Sequence, residues 1–421
     1  MNVTIHPKKL EGSLIVPPSK SLSHRAIIAA SLAQGTSVLS NVVLSKDIMA
    51  TIDGMRALGA TIELQENGLK ITGSKVKRIQ SEIFANESGS TLRFLIPIAL
   101  LHKDPVCFTG KNNLVHRPLD SYYEIFEAQG ISYTHPEDQF LPLHVEGQLQ
   151  PGIYTIRGDI SSQFITGLLY ALPLLNKESK IIITTELESK GYVDLTLDIL
   201  RKFGIRITNQ KYKEFIIPGN QVFVPCDYQV EGDYSQVAFF LVANALGADI
   251  KLYGMHENSF QGDKKIMEDM KAMGANIEYK KDHIVCTPTL TKGATIDFSQ
   301  SPDLGPALTV LASLSEGTSQ FIHAERLRIK ECDRITCMRQ ELEKMGAQIL
   351  EQQDGMTIEG VKELTGAILD SHNDHRVAMA LAMASMKTKG DLKILNAECV
   401  TKSFPDFWNV FESLGGDITY E

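Results

Sequence analysis

MRALGATIEL, residues 55–64, reads as the end of an amphipathic helix, a glycine and a short alternating strand. The same pattern returns in IFEAQGISYT (125–134), LRKFGIRITN (200–209), MKAMGANIEY (270–279), LEKMGAQILE (342–351) and FESLGGDITY (411–420). The glycines are Gly59, Gly130, Gly204, Gly274, Gly346 and Gly415, spaced 69 to 74 residues apart. Each fits the position just past a helix end, where a left-handed backbone closes the helix and a Cβ would be strained. The residues that follow alternate, as in a strand with one buried face. One such element is common; six at near-constant spacing define a repeat.

A second helix class recurs at the same period. Its copies begin SKSLSHRAII (19–28), SGSTLRFLIP (88–97), SSQFITGLLY (161–170), DYSQVAFFLV (233–242), SPDLGPALTV (301–310) and NDHRVAMALA (373–382). Polar or charged starts lead into almost wholly apolar bodies, the signature of helices buried on most sides. Each repeat thus holds one buried helix, one amphipathic helix and several strands, an α/β fold whose strand order the pattern leaves open. Six units allow one ring, one solenoid or two groups of three. Size favours two domains of about 200 residues, because single cores stop growing near about 300. The break is expected in VPCDYQVEGDYSQ (224–236), where Pro225 and Gly232 bracket a polar stretch. A hinge there would suit a closing cleft.

The 421 residues carry 42 basic against 51 acidic side chains, a net charge of −9. That balance argues against a general nucleic-acid or membrane-surface binder. The six cysteines are dispersed, without a CxxC pair or a histidine at zinc-ligand spacing, so free thiols in a reducing cytoplasm are expected and no metal. No apolar stretch is long enough to span a bilayer and no leader pattern opens the chain, so a cytoplasmic location is expected.

The helix starts carry the chemistry. Asp47, Asp120, Asp194, Asp263, Asp333 and Asp406 stand at the beginnings of the amphipathic helices, where capping and dipole pairing explain them. Basic residues nearby are harder to explain: Arg117, Lys190, Lys330, Arg334 and Lys402, and at the buried-helix starts Lys20, Arg25, Arg93 and Arg376. A cation there opposes the helix dipole by about 0.3–1 kcal/mol. A bound anion reverses that balance, since free N–H groups, hydroxyls and cations together bind phosphate or carboxylate. Any one of these cations could be a solvated surface charge; the recurring set points to polyanionic small molecules. Asp303, Glu331 and Asp374 lie beside the cations, where a carboxylate stays ionised and can accept protons. Their structural alternatives are capping for Asp303 and Asp374, and a surface ion pair for Glu331.

PPSKSLSHRA (17–26), SSQFITGLL, SPDLGPALTVLA, RIKECDR (328–334), NDHRVAMALA and TKSFPDF (401–407) together resemble the 5-enolpyruvylshikimate-3-phosphate synthase family, in order along essentially the whole chain. The resemblance implies two similar domains, each of three βαβαββ units in an inside-out α/β barrel, with the active site in the interdomain cleft. It implies domains of residues 20–229 and of 1–19 plus 230–421. It implies transfer of the enolpyruvyl group of phosphoenolpyruvate to the 5-hydroxyl of shikimate 3-phosphate, without a cofactor, in the shikimate pathway to chorismate and the aromatic amino acids. Carried over by motif, Lys20, Ser21, Arg25, Ser161, Ser162, Gln163, Ser189, Asp303 and Lys330 would bind shikimate 3-phosphate. Lys20, Gly89, Arg117, Gln163, Arg334, Arg376 and Lys402 would bind phosphoenolpyruvate. Asp303, Glu331 and Lys20 would carry protons. A monomer is expected, with glyphosate as a candidate inhibitor and compaction on binding shikimate 3-phosphate.

The chain departs from the family pattern at NESGSTLRF (86–94), where Glu87 replaces a usual Asn, Ser90 a common Thr, and Phe94 a Pro or Leu. Those positions border the phosphoenolpyruvate and glyphosate sites. Arg326 replaces a familiar Asn, so that contact is not carried over. The nearest rival is UDP-N-acetylglucosamine enolpyruvyl transferase, which typically has Lys-Asn where Lys20-Ser21 stands here and uses a loop cysteine. Cys107 lies instead in an apolar, strand-like run. A non-catalytic scaffold for phosphorylated partners is the other alternative; acids among its cations would serve it nothing.

Overall fold

The computed structural model describes residues 1–421. Its α-helices alternate between the two kinds: α1 (Lys20–Leu32), α2 (Lys46–Ala57), α3 (Gly89–Ala99), α4 (Asp120–Gln129), α5 (Ser162–Ala171), α6 (Lys190–Lys202), α7 (Tyr234–Ala245), α8 (Ile266–Ala272), α9 (Gly305–Ser313), α10 (Arg334–Lys344), α11 (His375–Ala384) and α12 (Phe407–Ser413). The odd-numbered helices are the buried class; α7, α9 and α11 are buried at every residue. The even-numbered helices bury one face and end at the repeat glycines, all of which have positive φ, from 67° at Gly130 to 106° at Gly59. A Cβ on Gly130 would meet nothing. Backbone conformation, not space, therefore selects glycine there.

Each repeat supplies one four-stranded sheet, and the six sheets share one order. In the first, Tyr228–Gln229 runs parallel to Thr36–Ser40, which pairs antiparallel with Gly68–Thr72, itself antiparallel to Thr61–Gln65. The other five repeat this sequence of one parallel and two antiparallel pairings. Three sheets draw on distant chain. Besides Tyr228–Gln229, Glu11–Ile15 pairs with Asp249–Tyr253, and Val3–His6 lies between Leu392–Leu395 and Asp417–Tyr420.

The chain forms two compact units, one of residues 1–19 and 231–421, the other of residues 20–230. Each has its own apolar core. In the first, α7, α9 and α11 pack on one another. In the second, α3 packs closely on α5 because Gly167 leaves room: a Cβ there would lie 2.4 Å from the Arg93 carbonyl oxygen. Pro97 within α3 has no N–H to offer that carbonyl. The Tyr122 hydroxyl donates to it instead at 2.5 Å, so the backbone acceptor at Arg93 is satisfied from α4.

Candidate active site

In the unit of residues 20–230 the starts of α1, α3, α5 and α6 carry the polar side chains. Lys20 opens α1 with no acid in its own first turn, and its Nζ lies 2.8 Å from Asp47 Oδ2 at the start of α2. Arg25, one turn further and buried, donates from Nε to Thr196 Oγ1 (2.9 Å), from Nη1 to Ser21 O (2.9 Å) and from Nη2 to Tyr192 O (3.0 Å). Its guanidinium lies 5.1 Å from the centre of the Phe94 ring. Burial brings its pKa down to about 10, so it remains charged at neutral pH. His24, between them, bonds Thr51 at 2.7 Å. Burial pushes it down to about 3, so it is a neutral core histidine and no proton carrier at neutral pH.

Ser161 caps α5 by accepting from Gln163 N at 3.3 Å. The Gln163 amide is oriented from both sides: Oε1 accepts from Arg93 Nη1 at 2.9 Å and Nε2 donates to Ser90 Oγ at 3.0 Å. Ser162 and Ser189 are buried, and Ser189 opens α6 with a φ of 54°. Arg117 packs on the start of α3: a Cβ on Gly89 would lie 2.7 Å from its Nη1 and 3.0 Å from its Cζ. The Arg117 Nε is buried without a hydrogen-bond partner, the kind of orphaned donor that calls for an explanation.

In the other unit four cations and three carboxylates interlock. Arg334, 1% exposed in its side chain, donates from Nε to Asp374 Oδ2 (2.8 Å), from Nη1 to Asp303 Oδ1 (3.0 Å) and from Nη2 to Glu331 Oε2 (2.8 Å). Lys330 Nζ lies 3.2 Å from Asp303 Oδ1, Arg376 Nη2 lies 3.3 Å from Asp303 Oδ2, and Lys402 Nζ lies 3.3 Å from Glu331 Oε1. Arg376 also donates to Ser235 Oγ at 3.0 Å, and Asp374 caps α11 by accepting from Arg376 N at 2.8 Å. Burial by itself would raise the Asp303 pKa, but Arg376, Lys330 and Arg334 together hold the carboxyl well below the ordinary range. Burial lowers Lys330 to about 8 against the opposing pull of Asp303. Arg334 is pushed the other way by Asp374, Glu331 and Asp303, which outweigh its burial.

The aspartates at the amphipathic-helix starts do more varied work than capping. Only Asp333 among them caps with its side chain, accepting from Ile335 N and Thr336 N. Ser45 caps α2, which leaves Asp47 to Lys20. Asp194 accepts from the Tyr212 hydroxyl, and Asp406 stands at the cap of α12 without a side-chain bond. Asp303 lies in the turn Pro302–Leu304 ahead of α9 and spends its carboxylate on cations rather than on a cap. Glu331 is no surface pair, with a side chain 13% exposed. Lys190 is paired at 2.9 Å with an exposed Glu186. The departing residues have structural partners: Glu87 accepts from Asn112 at 2.9 Å, Ser90 holds Gln163, and Phe94 lies under Arg25. Arg326 is buried and donates to Ser299 O at 3.4 Å. Sequence reading missed Asp47 as the partner of Lys20, Thr196 and Tyr192 as holders of Arg25, and Ser235 beside Arg376. Arg93 was visible as a basic helix start, but its task of orienting Gln163 was not.

Six alike sheets in two three-repeat units, with cations and acids gathered at helix starts, are the fold of an enolpyruvyl transferase. The enolpyruvyl transferase NikO from Streptomyces tendae shares it at a TM-score of 0.82 and 17% identity, covering 100% of this chain and 98% of that one. The EPSP synthase of Acinetobacter baumannii superposes at a TM-score of 0.81 with 27% identity and full coverage of both chains. Residues 5–411 match the family EPSP synthase (3-phosphoshikimate 1-carboxyvinyltransferase). Proteins named 3-phosphoshikimate 1-carboxyvinyltransferase are 52% identical in Clostridium novyi, over 99% of this chain and 98% of that protein, and 52% identical in Clostridium perfringens, over 100% and 99%. The chain belongs to the EPSP synthase family.

Proposed function

We propose that the chain transfers the enolpyruvyl group of phosphoenolpyruvate to the 5-hydroxyl of shikimate 3-phosphate and releases phosphate, in the cytoplasm and as a monomer. Membership of the family and the names of its relatives support the reaction. The observation that carries it is Asp303, an ionised acid with Arg334, Lys330 and Arg376 at 3.0, 3.2 and 3.3 Å. A site that only bound anions would gain nothing from a carboxylate placed there; a site that must take a proton would. Cys107 speaks against the rival transferase: burial and Glu82 raise its thiol, the wrong direction for a reactive thiolate.

Two unit charges of one sign 4 Å apart repel by about 4 kcal/mol near a protein surface, and these substrates carry several each. Lys20, Arg25 and Lys330, with Ser21, Ser161, Ser162, Gln163 and Ser189, hold shikimate 3-phosphate. Arg117, Arg334, Arg376 and Lys402, beside Gly89 and sharing Lys20 and Gln163, hold phosphoenolpyruvate; planar guanidinium groups suit its carboxylate. Lys20 or Glu331 protonates the methylene carbon, and positive charge develops at C2. The 5-oxygen attacks there while Asp303 takes its proton. The C–O bond to phosphate then breaks, a methyl proton leaves, and the enol ether is restored. The decisive assay follows phosphate release from the two substrates; a folded protein that releases none refutes the reading. Initial rates at varied glyphosate and phosphoenolpyruvate test inhibition, and light scattering on a sizing column tests the monomer.

Two outcomes follow from the geometry. Gly89→Ala drives a methyl against the flexible end of Arg117 and displaces its guanidinium. The KM for phosphoenolpyruvate should rise about tenfold, equivalent to about 1.4 kcal/mol of lost binding, while stability changes little. An unchanged KM would remove Arg117 from the site. Lys330, lowered to about 8 and surrounded by Asp303, Arg326, Arg334 and Glu331, loses its charge as pH rises through that value. The KM for shikimate 3-phosphate should therefore climb above pH 8, and Lys330→Arg, which stays charged, should flatten the climb.

A further inference from the structure

Residues 328–334, RIKECDR, carry Lys330, Glu331 and Arg334, yet the first of them has no part in the chemistry above. Arg328 lies in the turn Glu325–Ile329 ahead of α10. Its bonds go to the hairpin of Gln348–Gln352 and Gly355–Glu359 and to the first turn of α10, not to Asp303, Glu331 or Asp374. Nε donates to Gln353 O at 2.8 Å and Nη2 to Gln352 O at 2.5 Å, both at the hairpin tip. Nη1 donates to Glu351 Oε1 at 2.8 Å and to Asp333 Oδ2 at 2.7 Å. Asp333 keeps Oδ1 for the cap, accepting from Ile335 N and Thr336 N. Glu351 is fixed in turn by the Thr336 hydroxyl and by Arg339 Nε, each at 2.8 Å.

The hairpin tip is a firm support. Gln352 pairs with Gly355, and a Cβ on Gly355 would lie 1.9 Å from Phe321 O, so the tip lies directly on the neighbouring strand Thr318–Ile322. Asp354 O accepts from Ala324 N at 2.7 Å. The chain is therefore tied to the hairpin before the turn, at Ala324, and again near its end, through Arg328. The bridge from Arg328 to Asp333 then closes residues 328–333 into a loop that contains Lys330 and Glu331. From that loop Lys330 Nζ reaches Asp303 at 3.2 Å and Glu331 Oε2 reaches Arg334 at 2.8 Å. Gln352 and Gln353 are exposed, so water can satisfy their carbonyls when Arg328 is removed. Ion pairs open to solvent contribute little to stability one by one. Loss of this network costs placement more than folding.

We propose that Arg328 is a positioning residue for the transfer: it braces residues 328–333 against the hairpin tip and so sets where Lys330 and Glu331 stand. The inference rests on the reaction proposed above, in which Lys330 holds shikimate 3-phosphate and Glu331 is a proton carrier. Arg328 acts through these two residues. The task suits a guanidinium, whose planar fork spans two hairpin carbonyls and two carboxylates at once; an ammonium is a point charge and cannot.

The test is Arg328→Ala in the full chain. Its urea midpoint should stay near that of wild type while kcat for phosphate release falls by about 10- to 100-fold, the effect of a misplacement of about 1 Å. A purely structural role would do the reverse, lowering the midpoint and leaving kcat per folded molecule unchanged. Amide hydrogen exchange, read by mass on peptides covering residues 329–337, should quicken as the cap loosens. Arg328→Lys keeps a charge for Asp333 or Glu351 but loses the fork, so it should recover part of the rate; it carries the test if the alanine variant folds poorly. Glu351→Ala removes one anchor of several and should slow the reaction less. Joined to Arg328→Ala it should add nothing further, because both act through one brace. Wild-type kcat in folded Arg328→Ala, unchanged exchange, or losses that add in the double variant would overturn the proposal. Exchange is read without turnover, so failure of the reaction shows in the wild type and failure of the brace in the peptides.

Discussion

Asp303→Asn lowers kcat by about 10²- to 10⁴-fold, the range lost with a positioned general base. The variant keeps the shape between Lys330, Arg334 and Arg376 but lacks the carboxylate to which the proposed reaction assigns the hydroxyl proton. Titration calorimetry with shikimate 3-phosphate should still show binding, since the cations remain. Full activity would reject the role of Asp303. The same variant carries a stability signature. The folded carboxyl lies well below its ordinary value, so its ion pairs contribute fully above about pH 4, the unfolded value, and are lost as pH falls toward the folded one. Asp303→Asn should lack that part of the acid dependence. Acid unfolding curves that coincide with wild type would remove the linkage.

Arg334→Ala costs about 3–5 kcal/mol of stability, the effect of breaking a buried ion pair by removing one partner. Asp374 has no exposed side-chain surface, and the variant leaves it with the Arg376 backbone N and the Cys332 thiol. Asp303 and Glu331 keep Lys330, Arg376 and Lys402, so Asp374 bears most of the loss. Arg334→Lys restores a charge but not the fork that reaches three carboxylates, so it should recover only part. Urea unfolding measures both, in the transition of the unit that holds residues 231–421. An unchanged midpoint in Arg334→Ala would show that the interlocked cluster contributes nothing to the fold.

The repeats were legible because their signals are local. A left-handed backbone at Gly59 or Gly415 and an apolar run after Asp374 each require a residue type at a fixed place, whatever packs on them. Strand order was not legible. Val3–His6 pairs with strands at the far end of the chain, and no local pattern announces so distant a partner. The aspartates misled for a related reason: an acid at a helix start has the same sequence signature whether it caps, as Asp333 does, or reaches another helix, as Asp47 does.

By itself the sequence determined six repeats, two helix classes and the set of cations and acids gathered at helix starts, because period, glycine placement and helix dipoles act within a few residues. Only the tertiary structure decided which charge answers which. Lys20 meets Asp47 across 27 positions, Arg25 meets Thr196 across 171, and Arg334 meets Asp374 across 40. Coulomb attraction and hydrogen bonding depend on distance in space, and folding alone sets that distance.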